Sequence, residues 1–311
     1  MSTALRLILR WLATVLVVLV VFWQLDQARI WEVLRTISPL ILVPVAVLTF
    51  VQVAVSAWRW RFTLSRLRLS LPLAQAIREY YLATFLNQIL PGGVVGDVNR
   101  AWRSGLETGQ RLIAVHGVAI ERLSGQVILA LVVAISLTGL MVSGAMQIPV
   151  ARTHSHQLGL WIAAGLVAVF LIVWFVRSGG RVAAYASTLA RHMRLALWQW
   201  PAFPLQLLSS CLVLASYLAV FLVLAVSAGF VTGAGDLLLW AALGSFLLLS
   251  MVIPVTIAGW GVREGAAAVL WPMAGLPAEQ GVAISVGYGV VVLISSLPGL
   301  VVLVRKPGIS R

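Results

Sequence analysis

Six stretches of the chain are apolar over roughly the ~20 residues an α-helix needs to cross ~30 Å of hydrocarbon. They are 7–25, 39–57, 112–142, 158–176, 204–228 and 280–304. In lipid, only structures that satisfy every backbone N–H and C=O internally persist. The expected fold class is therefore all-α: a polytopic integral membrane helix bundle of six to eight spans, with residues 1–311 as a single transmembrane domain. Composition agrees. Hydrophobic residues make up 61% of the chain and charged residues 10%, against about 25% charged in soluble domains. Cys211 is the only cysteine, so an intramolecular disulfide and a Cys-based metal site are excluded. Arg6 and Arg10 precede the first run, but no small-x-small cleavage site follows it, so 7–25 reads as a retained span rather than a signal peptide.

The formal net charge is +13, from 22 basic and 9 acidic residues. In a soluble protein such a surplus suggests nucleic acid. In a membrane protein it reports orientation, because Arg and Lys collect in short cytoplasmic loops. Segment 58–72 carries Arg59, Arg61, Arg66 and Arg68, and segment 177–203 carries Arg177, Arg181, Arg191 and Arg194, both without an acid. Both are placed inside, as are Arg78, Arg100, Arg103, Arg111 and the terminal Arg305, Lys306 and Arg311. The expectation is a cytoplasmic (inner) membrane protein with both termini cytoplasmic and no nucleic-acid partner.

Two apolar stretches are broken by Pro, Gly and charge: 73–103 at Pro91-Gly92-Gly93, and 236–275 at Pro254, Gly259 and Gly261. The first reads as a re-entrant hairpin from the inner face. The second reads as a hairpin from the outer face, or as two full crossings. Counted from Pro91 and from Pro254, both have Gly at +5 (Gly96, Gly259) and Arg at +9 (Arg100, Arg263), with an acid nearby (Asp97, Glu264). Each half reads span, span, broken segment, span, which is the pattern of an inverted-topology repeat with halves 1–145 and 155–305. In transporters with such repeats the site lies at the repeat interface near the midplane. Pure close packing through Gly92/Gly96 and Gly261/Gly265 is the competing reading.

Charge inside the membrane is costly, about 2.5–3.5 kcal/mol per residue on insertion scales, and should face partners. Extended back to Glu107, the helix through 142 would rise roughly 54 Å at ~1.5 Å per residue. Glu107 and Arg111 would then pair at i,i+4, with Glu121 about 15 Å deeper than Arg111. Glu121 and the adjacent Arg122 point about 100° apart and cannot simply pair with each other. His116 reads as a packed or hydrogen-bonded histidine. His154 and His156 lack a third ligand, so no metal site is expected. No Walker loop, nucleophile elbow or HExxH motif occurs, and no cofactor is expected.

Asn87 followed by Leu90-Pro91-Gly92-Gly93-Val94-Val95-Gly96-Asp97-Val98-Asn99-Arg100-Ala101 resembles the LPGGxGGDxxRA signature of the lysylphosphatidylglycerol synthase transmembrane (flippase-like) family. Glu121-Arg122-Leu123 is similar to that family's acidic–Arg pair, and Pro254 to Glu264 to its Gly-rich block ending in GxRE. The resemblance implies a relative of the flippase half of the multiple peptide resistance factor, without the soluble synthase domain. Val95 and Trp260 stand where Gly is usual. The implied function is a lipid flippase or transporter that moves a phospholipid or lipid-linked headgroup between leaflets by alternating access.

The candidate substrate residues are Asn87, Pro91, Gly92, Gly93, Gly96, Asp97, Arg100, Glu121, Arg122, Pro254, Gly259, Gly261, Arg263 and Glu264. Arg100 and Arg263 are expected to hold a phosphate. Asp97, Glu121 and Glu264 would balance them, hold a cationic headgroup or carry a proton. The partners are then a membrane lipid with a phosphate headgroup and the bilayer itself, with self-association into a homo-oligomer left open. The alternatives are a membrane-embedded transferase acting on a lipid-linked substrate, or a non-transporting accessory membrane subunit.

Overall fold

The computed structural model describes residues 27–90, 93–145, 180–252 and 256–304. The expected spans 7–25 and 158–176, the His154/His156 pair, the terminal basic cluster, and Pro91, Gly92 and Pro254 lie outside these residues. Among the described residues the regular structure is helical. Among these residues four helices are long and apolar enough to cross a membrane: Pro39–Arg66, Arg111–Val142, Ala202–Ser227 and Ala278–Val304. The chain is a membrane protein.

Helix α1 (Gln27–Thr36) precedes a 3₁₀ turn at Pro39–Ile41. The Ser38 hydroxyl accepts from the Leu40 N–H there, and Pro39 loses nothing because a helix's first N–H groups have no intrahelical partner. Helix α2 (Leu42–Arg66) follows. It turns one face of Val43, Val47 and Phe50 outward while Trp60 and Leu64 are buried. Large apolar side chains facing outward suit a bilayer, where water is absent.

The first broken stretch is a pair of helices, α3 (Leu73–Ile89) and α4 (Val95–Thr108). They pack so closely at Gly96 that a Cβ there would lie 2.0 Å from the Ala83 carbonyl oxygen. Gly109, at φ +70°, ends α4, and α5 (Arg111–Val142) starts two residues later. A single helix through Glu107 and Arg111 is thereby corrected: a left-handed residue interrupts it. Glu107 instead accepts from Gln75 Nε2, and the Arg111 guanidinium sits 4.9 Å from the centre of the Trp102 ring.

Helix α6 (Arg181–Met193) continues into a π-helical turn at Arg194–Trp198. His192 of α6 shares a 2.8 Å Nδ1···Nδ1 hydrogen bond with the buried His116 of α5, in agreement with the packed reading of His116. Burial, with Arg191 beside it, holds His192 below the ordinary imidazole range. The chain then forms α7 (Ala202–Ser227), α8 (Ala234–Ser250), α9 (Val262–Met273), α10 (Ala278–Ser296) and α11 (Pro298–Val304). Helices α8 and α9 form the second broken stretch. Twelve residues of α9 rise about 18 Å, short of the ~30 Å hydrocarbon core.

Two larger and two smaller clusters of buried apolar residues hold the described part of the bundle, and the two larger ones flank its centre. One joins Phe221, Trp240, Trp271 and Tyr288 from α7 to α10, with the Trp240 and Trp271 rings edge-on at 5.1 Å. The other joins Trp60, Leu64, Tyr80 and Val118 from α2, α3 and α5. Between them lies a cavity.

The Gly96 contact sets a sharp size limit. Gly96→Val should lower the thermal stability of the detergent-solubilised protein by roughly 1–3 kcal/mol or more, as overpacking does. Gly139→Ala, with nothing within 4 Å of the added carbon, should not. Equal melting curves for the two variants would contradict the packing.

Candidate functional site

The cavity holds about 650 Å³ and is lined by α2, α3, α4, α5, α7 and α10, the end of α8, and the loop 256–259. Its walls are mostly apolar, with three charged side chains: Arg59, Asp97 and Arg122.

These three belong to one buried network. Glu121 accepts from Arg59 Nη2, from Arg100 Nη2 at 2.6 Å and from the Tyr80 hydroxyl at 3.3 Å. Asp97 Oδ1 accepts from Arg100 Nε at 2.9 Å and Arg122 Nη2 at 2.8 Å, while Oδ2 accepts from Asn87 Nδ2 at 3.2 Å. Asn87 Oδ1 in turn accepts from the Gly96 N–H at 2.7 Å. Arg59 Nη1 donates to the Ser210 hydroxyl at 2.8 Å. The Arg100 guanidinium lies between the rings of Trp60 and Tyr80, at 4.8 and 4.5 Å, where ring faces attract a desolvated cation.

Local sequence explains the placement. On α2 the polar residues Thr49, Gln52, Ser56, Arg59 and Thr63 alternate spacings of three and four, so they share one face. All five are buried. That face meets α7, where Gln206 Nε2 donates to Thr63 Oγ1 at 2.8 Å. Asp97 and Arg100 are i,i+3 on α4. Glu121 and Arg122 diverge as expected, Glu121 to Arg59 and Arg100, Arg122 to Asp97 and the cavity. Arg122 keeps 37% of its side chain accessible, whereas Arg100 keeps none.

The second group is separate from this network. Glu264, in the first turn of α9, accepts from the Gly261 N–H at 2.6 Å, from Arg263 Nη2 at 2.7 Å and from Ser285 Oγ at 2.9 Å. Arg263 lies 5.2 Å from the Trp260 ring centre and 5.5 Å from that of Tyr288. Gly261, at φ +84°, presents its N–H to Glu264, a conformation glycine adopts readily.

Of the sequence candidates, Asn87, Gly93, Asp97, Arg122 and Gly259 line the cavity. Gly96 packs α3 against α4. Arg100 and Glu121 are sealed behind the wall, as are Arg263 and Glu264. Arg122, not Arg100 or Arg263, is the candidate arginine that reaches the cavity. Arg59 requires a correction of another kind: the side assignment counted it as a loop charge, but α2 continues through it and buries it. Arg100, counted with it, is also buried. The α2 polar stripe was the available signal for Arg59. Tyr217, Gln126 and Ser210 also line the cavity and carry no motif. Among the described residues no group of three His, Cys, Asp or Glu side chains could hold a metal ion.

Residues 7–299 match the family model for the lysylphosphatidylglycerol synthase TM region. The chain belongs to this family. Membership ties it to a membrane lipid-related function. Comparison with curated proteins and with solved structures finds no match.

Glu121 carries two buried arginines at once. Glu121→Gln should therefore destabilise by roughly 3–5 kcal/mol, the usual cost of breaking a buried ion pair from one side. Glu32→Gln, at an exposed position, should change little. Thermal unfolding in detergent reads both, and a Glu121→Gln curve that overlays the wild type would contradict the network.

Proposed function

We propose that the protein is a lipid transporter that passes a phospholipid or lipid-linked headgroup between leaflets by alternating access, with the lipid phosphate received by Arg122. The observation that carries this reading is the charge left over in the network. Among the described residues Arg59, Arg100 and Arg122 pair with two acids, Asp97 and Glu121, which leaves one positive charge. Among the described residues Arg122 Nε, like Arg59 Nε and Arg100 Nη1, is buried without a partner, and an unpartnered buried donor costs about 1–3 kcal/mol. An anion at the cavity mouth of Arg122 would answer both. A guanidinium suits phosphate because its planar donors match the phosphate oxygens.

The proposed cycle uses the two broken helix pairs as gates. Both contribute to the cavity wall, the first through Asp97 and Val98 of α4, and the second through Leu248 near the end of α8 and Thr256 and Gly259 in the connection to α9. The headgroup enters the cavity while the acyl chains stay in lipid. Rocking of one half against the other then exposes the same site to the other leaflet. In this reading the halves 1–145 and 155–305 form an inverted repeat, the broken pairs are re-entrant, and the protein sits in the inner membrane with both termini cytoplasmic. The acids neutralise arginines rather than act as bases. A general base must reach a substrate proton, yet both oxygens of Asp97 and of Glu121 accept from guanidinium, amide or phenol donors already in the protein. That favours transport over a transferase reaction.

Reconstitution into liposomes containing a fluorescent phosphatidylglycerol, with reductant quenching of the outer leaflet, tests this. Wild type should accelerate leaflet exchange. Arg122→Gln should slow it by about tenfold or more, the worth of one charge-assisted hydrogen bond, without loss of membrane insertion. Unchanged exchange in Arg122→Gln, or no acceleration by wild type, would overturn the proposal.

A further inference from the structure

The cavity also bears on what the headgroup carries beyond its phosphate. A cationic headgroup, such as an aminoacyl ester, needs a carboxylate in reach. Of the nine acids in the chain, Asp97 is the one among the described residues that lines the cavity. Its two oxygens are occupied by Arg100, Arg122 and Asn87. Glu121 and Glu264 are sealed behind the wall and saturated by their own partners. Any ammonium placed in the cavity would meet the surplus positive charge of Arg59, Arg100 and Arg122.

The remaining polar lining is uncharged. Gln126 stands one helical turn beyond Arg122 on α5, so both side chains project to the same side. Among the described residues its Oε1 is buried and unpartnered. Thr256, which lines the same cavity, is 2% exposed, and its buried Oγ1 likewise has no partner among the described residues. Gln52, Thr84, Gln88 and Tyr217 supply further amide and hydroxyl groups. Buried polar atoms are ordinarily hydrogen-bonded. Two orphans, an amide oxygen and a hydroxyl, in the same cavity as a cationic guanidinium are matched by a ligand that offers hydroxyl groups next to a phosphate.

We infer that the headgroup is anionic at its phosphate and otherwise uncharged and hydroxyl-bearing, and that Gln126 and Thr256 read the hydroxyls. This rests on the proposal that Arg122 receives a lipid phosphate. Phosphatidylglycerol, phosphatidylinositol and a phosphate-linked glycolipid share this chemistry, whereas lysylphosphatidylglycerol does not.

Native mass spectrometry of the full chain released from nanodiscs, titrated with defined lipids, tests the inference. The probes are phosphatidylglycerol, phosphatidylinositol, a polyprenyl-phosphate hexose, phosphatidic acid and lysylphosphatidylglycerol. Wild type should retain at least one of the first three about tenfold more tightly than lysylphosphatidylglycerol, since an unpaired ammonium is costly to desolvate. The arm with the highest retention identifies the source of the hydroxyls.

Gln126→Leu and Thr256→Val should bring retention of that lipid down to that of phosphatidic acid while leaving phosphatidic acid itself unchanged. A residue with only a structural role would not move that ratio. Retention of lysylphosphatidylglycerol equal to or above the others, or an unchanged ratio in both variants, would overturn the headgroup inference alone. Failure to retain any of the five lipids, or retention indifferent to Arg122→Gln, would overturn the phosphate site and this inference with it.

Discussion

Glu121 is the contact on which the structure turns. One carboxylate receives two guanidinium groups and a phenol from three other helices, at a point with no measurable solvent access. Removing three arginines and two acids from water is expensive unless every charge finds opposite charge and hydrogen bonds. The bundle meets most of that demand by bringing α2, α3, α4, α5 and α7 together around one network. Pairing Asp97 and Glu121 against Arg59, Arg100 and Arg122 leaves one surplus positive charge, and Arg122 is the most accessible of the three arginines. Stability and the proposed binding site therefore share one arrangement: the residues that make the network affordable also decide where its excess charge points.

The two broken helix pairs play different roles. The first pair supplies Asp97 and Arg100 to the network through a close approach that only Gly96 permits. The second pair contains a self-sufficient unit, in which Glu264 ties Arg263, Ser285 and the Gly261 backbone together. Aligning the stretches by proline puts Arg100 opposite Arg263. In the helices themselves, Asp97 and Glu264 each occupy the third position, after Val95-Gly96 and Val262-Arg263. An acid in a helix's first turn is favourable because the free N–H groups and the macrodipole attract it. The shared element is thus an acid near a helix start that draws an arginine to it.

Much of this was legible in residue pattern. Apolar runs of bilayer length located the four long helices, because lipid imposes both length and polarity on a span. The Pro-Gly breaks located the helix pairs, and the divergence of Glu121 from Arg122 followed from helical geometry. Arg59 was hidden because counting basic residues by loop treats neighbours alike, and it stands beside Arg61, Arg66 and Arg68. Its burial was written instead in the period of Thr49, Gln52, Ser56 and Thr63. Which arginine opens to the cavity could not be read from spacing. It depends on how α4 and α5 pack, and that packing is decided by long-range contacts. Gly109 was overlooked as a helix end because the i,i+4 spacing of Glu107 and Arg111 suits one continuous helix, while one left-handed residue suffices to separate α4 from α5.

The central claim is that lipid phosphate binds at Arg122 in the cavity between the two broken pairs. Cryo-electron microscopy of the chain in nanodiscs of phosphatidylglycerol tests it most directly. The account predicts phosphate density within hydrogen-bond distance of the Arg122 guanidinium, with acyl chains extending into the bilayer. Lipid density confined to the outer surface of the bundle, with Arg122 bonded to Asp97 alone, would contradict it.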